Sequence, residues 1–411
     1  MSNSCARLSS LFSRNATNTI KSKLPQIQTP KSIKEKPLIT LVKNRAVSNG
    51  VSVKDLMDER DSQKLVEKFN SLSQQKDFRS KYKIYDYTIR RLALANQSTL
   101  IKEVLESQKK YINGEGFASR IIFLYGKAGL FDHAQKLFDE LPERGCEQGA
   151  RSFNALLGAA SYLEDFDKVH KLFRELPLKL SIKPITGSYN IAANALCKLG
   201  LIDKAAALLD EMEDNGVKPC VISFNTLLRA FYDKGEFDEG DKIWERMIKS
   251  GVAPSILSYD FKLQRLVNDG KISKAMDMVM ELKSKGLNPH VGTYNAFIVG
   301  ACKKGDLDGV RRWYNELLSH GCAPNKVTFN SIVPFLCDKG DYGLVYQVCR
   351  RMFKRQCSVD QCLLQKVVDA LAKKSMMEEA KILVALGKAN SYFPYDLELP
   401  TGFTRYLTYL R

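Results

Sequence analysis

The chain lacks any run of 18 or more apolar residues, so no membrane-spanning helix is expected. It has no Cys-x-x-Cys pair. Its four histidines, His133, His170, His290 and His320, are scattered and lack HExxH spacing. Zinc is therefore not expected, nor is any other metal or cofactor. No GxxxxGK[ST] occurs, which argues against a P-loop nucleotide site. No deaminase or nuclease signature lies toward the C-terminus. The clustered acids Glu211, Glu213 and Asp214 read as the solvated face of a helix. Nothing supports catalysis, so neither an enzyme nor a small-molecule substrate is expected.

Acidic residues are scarce at the start. Residues 1–50 hold nine Lys/Arg and a single acid, Glu35; the stretch is Ser-rich and has no apolar h-region. That composition reads as an organelle transit peptide rather than a secretory signal, with a disordered basic arm as the alternative. Composition alone does not separate mitochondrial from plastid import.

What the chain does have is basic charge, apolar residues and a repeat. Its 411 residues carry 63 Lys/Arg against 46 Asp/Glu, a net charge of +17, and 44% are hydrophobic. The charge favours acidic partners such as nucleic acid, anionic membrane surfaces or ribosome-like assemblies. The apolar content is enough for a continuous core.

The repeat has a fixed step of 35 residues. Pro184, Pro219, Pro254, Pro289 and Pro324 keep it, as do Gly200, Gly235, Gly270, Gly305 and Gly340, and Gly216, Gly251, Gly286 and Gly321. An aromatic followed by Asn or Asp recurs in phase: Tyr189-Asn190, Phe224-Asn225, Tyr259-Asp260, Tyr294-Asn295 and Phe329-Asn330, with Phe153-Asn154 one 36-residue step earlier. Each repeat reads as helix, turn, helix, turn. In 186–220, apolar residues at helical spacing run to Gly200, which suits a left-handed C-cap. A second stretch places Ala205, Leu208, Leu209 and Met212 on one side and ends at Gly216, with Pro219 beyond. One hairpin cannot bury its apolar face alone, so neighbours must stack. The expected fold is all-α: an α-solenoid superhelix of stacked helix-turn-helix repeats.

Seven repeats follow from the phase: 115–149, 150–185, 186–220, 221–255, 256–290, 291–325 and 326–360. Residues 51–114 read as a helical N-terminal region with a degenerate repeat, and 361–411 as a degenerate C-terminal repeat or cap with a tail lacking any usable motif.

Tetratricopeptide repeats, at 34 residues, are a near neighbour. This chain instead repeats V-x-[ST]-[YF]-N near the start of a repeat and G-[VL]-x-P-x at its end, as in VISFNTLL (221–228), VGTYNAFI (291–298), KVTFNSIV (326–333) and GVKPC (216–220). These motifs resemble pentatricopeptide repeats of the pure 35-residue class, over about residues 80–395. The stretches RRLALANQSTLIKEVLESQKKY, EGFASRIIFLYGKAGLFDHAQKLFDELPER and KLSIKPITGSYN resemble one group of plant mitochondrial proteins, integral to the small subunit of the mitochondrial ribosome. The resemblance implies a mitochondrial location.

The resemblance also implies a site. In such repeats each unit faces about one base of single-stranded RNA. The family reads the base edge with the fifth and last residues, while the second packs on the base plane. The fifth places here are Ser119, Asn154, Asn190, Asn225, Asp260, Asn295 and Asn330; the last places include Ser255, His290, Asn325 and Asp360. Asn330 with Asp360 matches a uracil-type pair, and Asn295 with Asn325 a pyrimidine pair. Gly149 and Ile185 offer no side-chain hydrogen bond, Cys220 a weak one, and Gly116, Gly187 and Gly292 a poor clamp. Weak base discrimination is expected, with binding held by shape and phosphates. Asn in a first helical turn can also satisfy local backbone groups.

Lys127, Lys198 and Lys303 recur at the thirteenth place as candidate phosphate contacts, or as charges that suit a helix C-terminus. Cys197, Cys302 and Cys337 share the twelfth place, and Cys146, Cys322 and Cys357 the thirty-second. They read as small, largely buried thiols. The expected function is non-catalytic RNA binding in mitochondria, as a small-subunit component touching ribosomal RNA and other ribosomal proteins. Alternatives are a free RNA-processing, stability or translation factor, or a peptide-binding scaffold.

Overall fold

The computed structural model describes residues 51–355, 357, 359–390 and 395–400. The transit-peptide reading falls on residues 1–50, outside the described residues. Among the described residues the regular structure is helical, with no β-sheet.

The first helices of the repeats are Glu115–Lys127, Ala150–Tyr162, Thr186–Lys198, Val221–Lys234, Ile256–Asn268, Val291–Lys303 and Lys326–Lys339. The second helices are Phe131–Asp139, Phe166–Leu180, Ile202–Asp214, Phe237–Lys249, Ile272–Ser284, Leu307–Ser319 and Tyr342–Lys354. The in-phase glycines end them. Gly235 and Gly340, for example, close first helices at φ of +86° and +75°, a region that a Cβ disfavours. The helix pairs Tyr82–Leu94/Ser98–Gln108 and Gln361–Lys373/Met377–Lys388 flank the series.

The chain divides into two compact bodies, one ending at Val252 and the other beginning at Ala253. In the N-terminal body the core starts from Phe69, whose ring meets Phe78 and Tyr85 edge-on at 5.5 and 4.9 Å. The buried Tyr85 hydroxyl donates to Gln108 Oε1 at 2.9 Å, and Gln108 Nε2 donates to Ser73 Oγ at 3.0 Å, so no polar group of this trio is stranded. Farther along, first helices pack so closely that a Cβ built on Gly126 would lie 2.3 Å from Ala159 Cα. Second helices are tied on their outer side. Arg174 meets Glu211 at 2.8 Å, and Arg246 meets Asp210 at 2.7 Å and Glu213 at 2.9 Å. Glu211 and Glu213 are therefore ion-pair partners between adjacent helices and not merely solvated acids, a pairing across 33 to 37 residues that only stacking creates.

In the C-terminal body one core runs from Leu263 to Leu397. Phe297 stacks on Trp313 with centroids 4.3 Å apart. Its far end is covered by residues 395–398. Tyr395 and Leu397 are buried, and the Val359 N–H donates to the Tyr395 hydroxyl at 3.0 Å. The Gln365 side chain holds the Glu398 backbone from both sides, accepting from its N–H at 3.0 Å and donating to its carbonyl at 2.8 Å. This short stretch thus serves as a cap.

Candidate nucleic-acid interface

The last residue of each repeat is the N-cap of the next first helix, so a last-place side chain stands at an N-terminus with unpaired N–H groups. Ser255, Asn325 and Asp360 accept from those groups directly. A second device recurs at the third place. In the N-terminal body the Ile185 N–H donates to Ser188 Oγ at 3.1 Å, and Ser188 Oγ donates to Asn154 Oδ1 at 2.6 Å. Likewise the Cys220 N–H donates to Ser223 Oγ at 3.1 Å, and Ser223 Oγ to Asn190 Oδ1 at 2.7 Å. In the C-terminal body His290, Thr293 and Asp260 form the same chain at 3.3 and 2.9 Å, and Asn325, Thr328 and Asn295 at 3.1 and 2.7 Å.

The fifth-place oxygen is therefore engaged between repeats. The network fixes the amide orientation and turns its nitrogen toward the last place. Asn295 Nδ2 donates to Asn325 Oδ1 at 3.1 Å, and Asn190 Nδ2 to Cys220 Sγ at 3.6 Å. Asn225 and Asn295 are buried, while Asn154 and Asn190 are half-buried. Two repeats depart. Ser119 donates to its own helix at Glu115 O, and Glu115 Oε1 takes over by accepting from the Arg151 and Ser152 backbone and the Ser152 hydroxyl. Asn330 is exposed because the following third-place residue, Leu363, has no hydroxyl.

That contrast gives a prediction. Asn295→Ala removes the 2.7 Å acceptor of the buried Thr328 hydroxyl, leaving Asn325 Oδ1 at 3.2 Å, and should cost about 1 kcal/mol in urea unfolding, whereas Asn330→Ala should be within about 0.5 kcal/mol of the parent. Equal losses at both positions would contradict the structural role assigned to the relay.

Asp260 is the one fifth-place carboxylate. Its Oδ1 accepts from Thr293, and its Oδ2 lies 3.4 Å from His290 Nδ1. Burial pushes Asp260 up to about 7, against which the Thr293 hydrogen bond works, and burial pushes His290 down. Because the folded-state value of Asp260 lies above its ordinary 3.8, the folded state binds the extra proton between the two values. The stability linked to Asp260 thus falls as pH rises from about 4 to about 7, the reverse of an ordinary paired carboxylate. Asp260→Asn should remove that component, gaining stability over the parent most above pH 7 when urea unfolding is compared at acid and alkaline pH.

The second places hold residues that the sequence reading passed over. Ile222, Leu257 and Val327 are 63, 50 and 53% exposed, aliphatic side chains standing out beside the fifth and last places of their repeats. Their phase was the available signal. Of the thirteenth-place lysines, Lys127 is ion-paired with Asp86 and lies over the Phe123 ring, Lys303 donates to Asn268 Oδ1 at 3.2 Å, and Lys198 is exposed with no acidic partner among the described residues. All three end their helices, where positive charge opposes the carbonyl dipole.

The other three histidines are all half-buried. His133 stacks on Tyr125, His320 lies against Tyr294 and 3.6 Å from Glu316, and His170 is half-buried. Of the six in-phase cysteines only Cys146 is fully buried; the others are half-buried, and burial pushes Cys197 and Cys302 up to about 11.

Parts of the chain match known families and proteins. The PPR repeat family matches residues 289–338, the pentatricopeptide repeat domain 207–269 and 262–305, and the PPR repeat 119–146 and 187–217. Small ribosomal subunit protein mS78 of Arabidopsis thaliana is 49% identical over 161 residues, 39% of this chain and 40% of that protein. Small ribosomal subunit protein mS79 of the same organism is 48% identical over 162 residues, 39% and 41%. The chain thus spans about 40% of the length of these curated relatives. Among solved structures, the pentatricopeptide repeat protein PPR10 in complex with an 18-nt psaJ RNA element is 19% identical, with a TM-score of 0.42 over 78% of this chain and 55% of that one. The 35-residue helix pairs with their in-phase caps, and these matches, identify residues 119–146 and 187–338 as similar to pentatricopeptide repeats.

Proposed function

We propose that the protein is a non-catalytic binder of single-stranded RNA that works in mitochondria as a component of the small ribosomal subunit, touching ribosomal RNA and neighbouring ribosomal proteins. The identity of nearly one half to two Arabidopsis small-subunit proteins is the observation that carries this reading. The geometry is compatible with it. The 221–255, 256–290 and 326–360 repeats each carry a polar fifth-place residue and an exposed aliphatic second-place side chain on one helix, and a nucleobase presents both a hydrogen-bonding edge and a flat apolar face. The residues assigned to RNA are Ser119, Asn154, Asn190, Asn225, Ser255, Asp260, His290, Asn295, Asn325, Asn330 and Asp360. Lys198 is the lysine placed best for a phosphate.

Ultraviolet crosslinking of the tagged protein in isolated mitochondria, followed by sequencing of the recovered RNA, tests the proposal. Crosslinks confined to small-subunit ribosomal RNA are expected. Crosslinks at discrete messenger sites would replace the ribosomal role with that of a free expression factor.

A further inference from the structure

The 256–290 repeat stands apart at its fifth and last places. In two other repeats an amide donates toward the last-place residue, Asn295 Nδ2 to Asn325 and Asn190 Nδ2 to Cys220. Here Asp260 takes the amide's position. Its Oδ1 accepts from Thr293 at 2.9 Å as Asn295 Oδ1 accepts from Thr328, and its Oδ2 faces His290 Nδ1 at 3.4 Å where the amide nitrogen would be. Gly292 leaves room for the pair: a Cβ there would lie 2.2 Å from Asp260 Oδ2 and 2.8 Å from His290 Cε1. The carboxylate is nine-tenths buried, His290 Nδ1 is buried with no hydrogen-bond partner and with Asp260 Oδ2 3.4 Å away, and nearly half of the His290 side chain is exposed. The ring therefore turns one nitrogen inward to Asp260 and its other edge to solvent.

We propose that this repeat contacts its base through His290 Nε2, and that one proton shared by Asp260 and His290 decides whether that nitrogen donates or accepts a hydrogen bond. The proposal rests on the RNA-binding reading above.

The chemistry follows from counting protons. With the shared proton present the pair is neutral overall, whether written as carboxylic acid and imidazole or as carboxylate and imidazolium. The bridge between Oδ2 and Nδ1 is then filled, and Nε2 carries its hydrogen outward. Removing one proton leaves a carboxylate and a neutral ring. The state that keeps the bridge puts the ring hydrogen on Nδ1, so Nε2 is left with a bare lone pair. The outward nitrogen changes from donor to acceptor, and the repeat gains one negative charge.

Burial favours the uncharged forms of both groups, which places the change near neutrality. Neighbouring charges are directed elsewhere. On the same helix Lys262 acts on Glu281, and Arg265 lies 3.5 Å from Asp269. On the second helix Glu281 is paired with Lys285 at 2.8 Å. On the next first helix Lys303 reaches Asn268. Neither shift draws on any of them.

The test uses the full chain labelled with ¹⁵N-histidine, with the His290 signals assigned by their loss in His290→Gln. In the parent, Nε2 should pass from a protonated to a bare nitrogen between about pH 6 and about pH 8.5. In Asp260→Asn, whose amide supplies a permanent donor to Nδ1, it should stay protonated throughout. In parallel, affinities for oligo(A), oligo(C) and oligo(U) are measured at both pH values and fixed ionic strength. At least one affinity ratio should shift by about fivefold in the parent, the effect of one hydrogen bond, and stay constant in Asp260→Asn. An Nε2 that never changes state, or ratios that ignore pH while RNA is bound, would overturn the proton switch. A nitrogen that switches in a protein that binds no RNA at either pH would overturn the RNA-binding reading instead.

Discussion

Phe297→Ala is expected to lower the unfolding free energy by about 3–5 kcal/mol, the cost of a large cavity in a packed core. Phe297 is buried, lies within the apolar cluster of the C-terminal body, and stacks on Trp313 at 4.3 Å with rings 21° from parallel. Trp313 sits on the second helix of the same repeat, so the stack is what joins Val291–Lys303 to Leu307–Ser319. Truncation removes the ring stacked on the indole, and neither helix can close the gap without breaking contact with adjacent repeats. In a stacked array stability is the sum of repeat and interface contributions, so this loss should appear as an early, partial transition in urea rather than a uniform shift. Met280→Ala, at a side chain 46% exposed, serves as the control and should stay within about 0.5 kcal/mol. Matching losses in the two variants would contradict the packing described.

The second large effect is a change of sign. Gly→Ala inside a helix ordinarily stabilises by about 0.5–1 kcal/mol, because glycine loses more backbone freedom on folding. Gly116→Ala should do so to a modest extent, since nothing lies within 4 Å of the added Cβ. Gly126→Ala, ten residues later on the same helix, should destabilise by about 1–3 kcal/mol, because the new methyl would meet Ala159 Cα at 2.3 Å and its Cβ at 2.4 Å. Neither obstacle is the tip of a flexible side chain, so relief requires the two first helices to separate. Thermal unfolding of the two variants decides the matter, and a stabilised Gly126→Ala would mean that the helices do not approach this closely.

The helix pairs were legible in the sequence because their signals are local. Gly235 and Gly340 hold the positive φ that ends a helix, and apolar residues such as Leu208, Leu209 and Met212 face one side. The pattern V-x-[ST]-[YF]-N was equally visible, but its physical meaning was not. Ser188 bonds to Asn154 and Thr328 to Asn295, 34 and 33 residues back, so the hydroxyl's partner exists only once repeats stand side by side. The same holds for Lys127, whose acidic partner Asp86 lies 41 residues away, and for Glu211 with Arg174 across 37. The cap at 395–398 left no readable trace. It rests on two alternate apolar side chains and on backbone bonds to Gln365, too short a pattern to show a period.

The central claim, that this protein holds single-stranded RNA, is tested most directly by fluorescence anisotropy of the purified chain with labelled single-stranded and duplex RNA over a range of salt concentrations. Binding of the single strand over the duplex is expected, with log affinity falling against log salt at about −0.7 per phosphate neutralised. Absence of binding at low salt, or affinity for duplex equal to that for single strand, would contradict it.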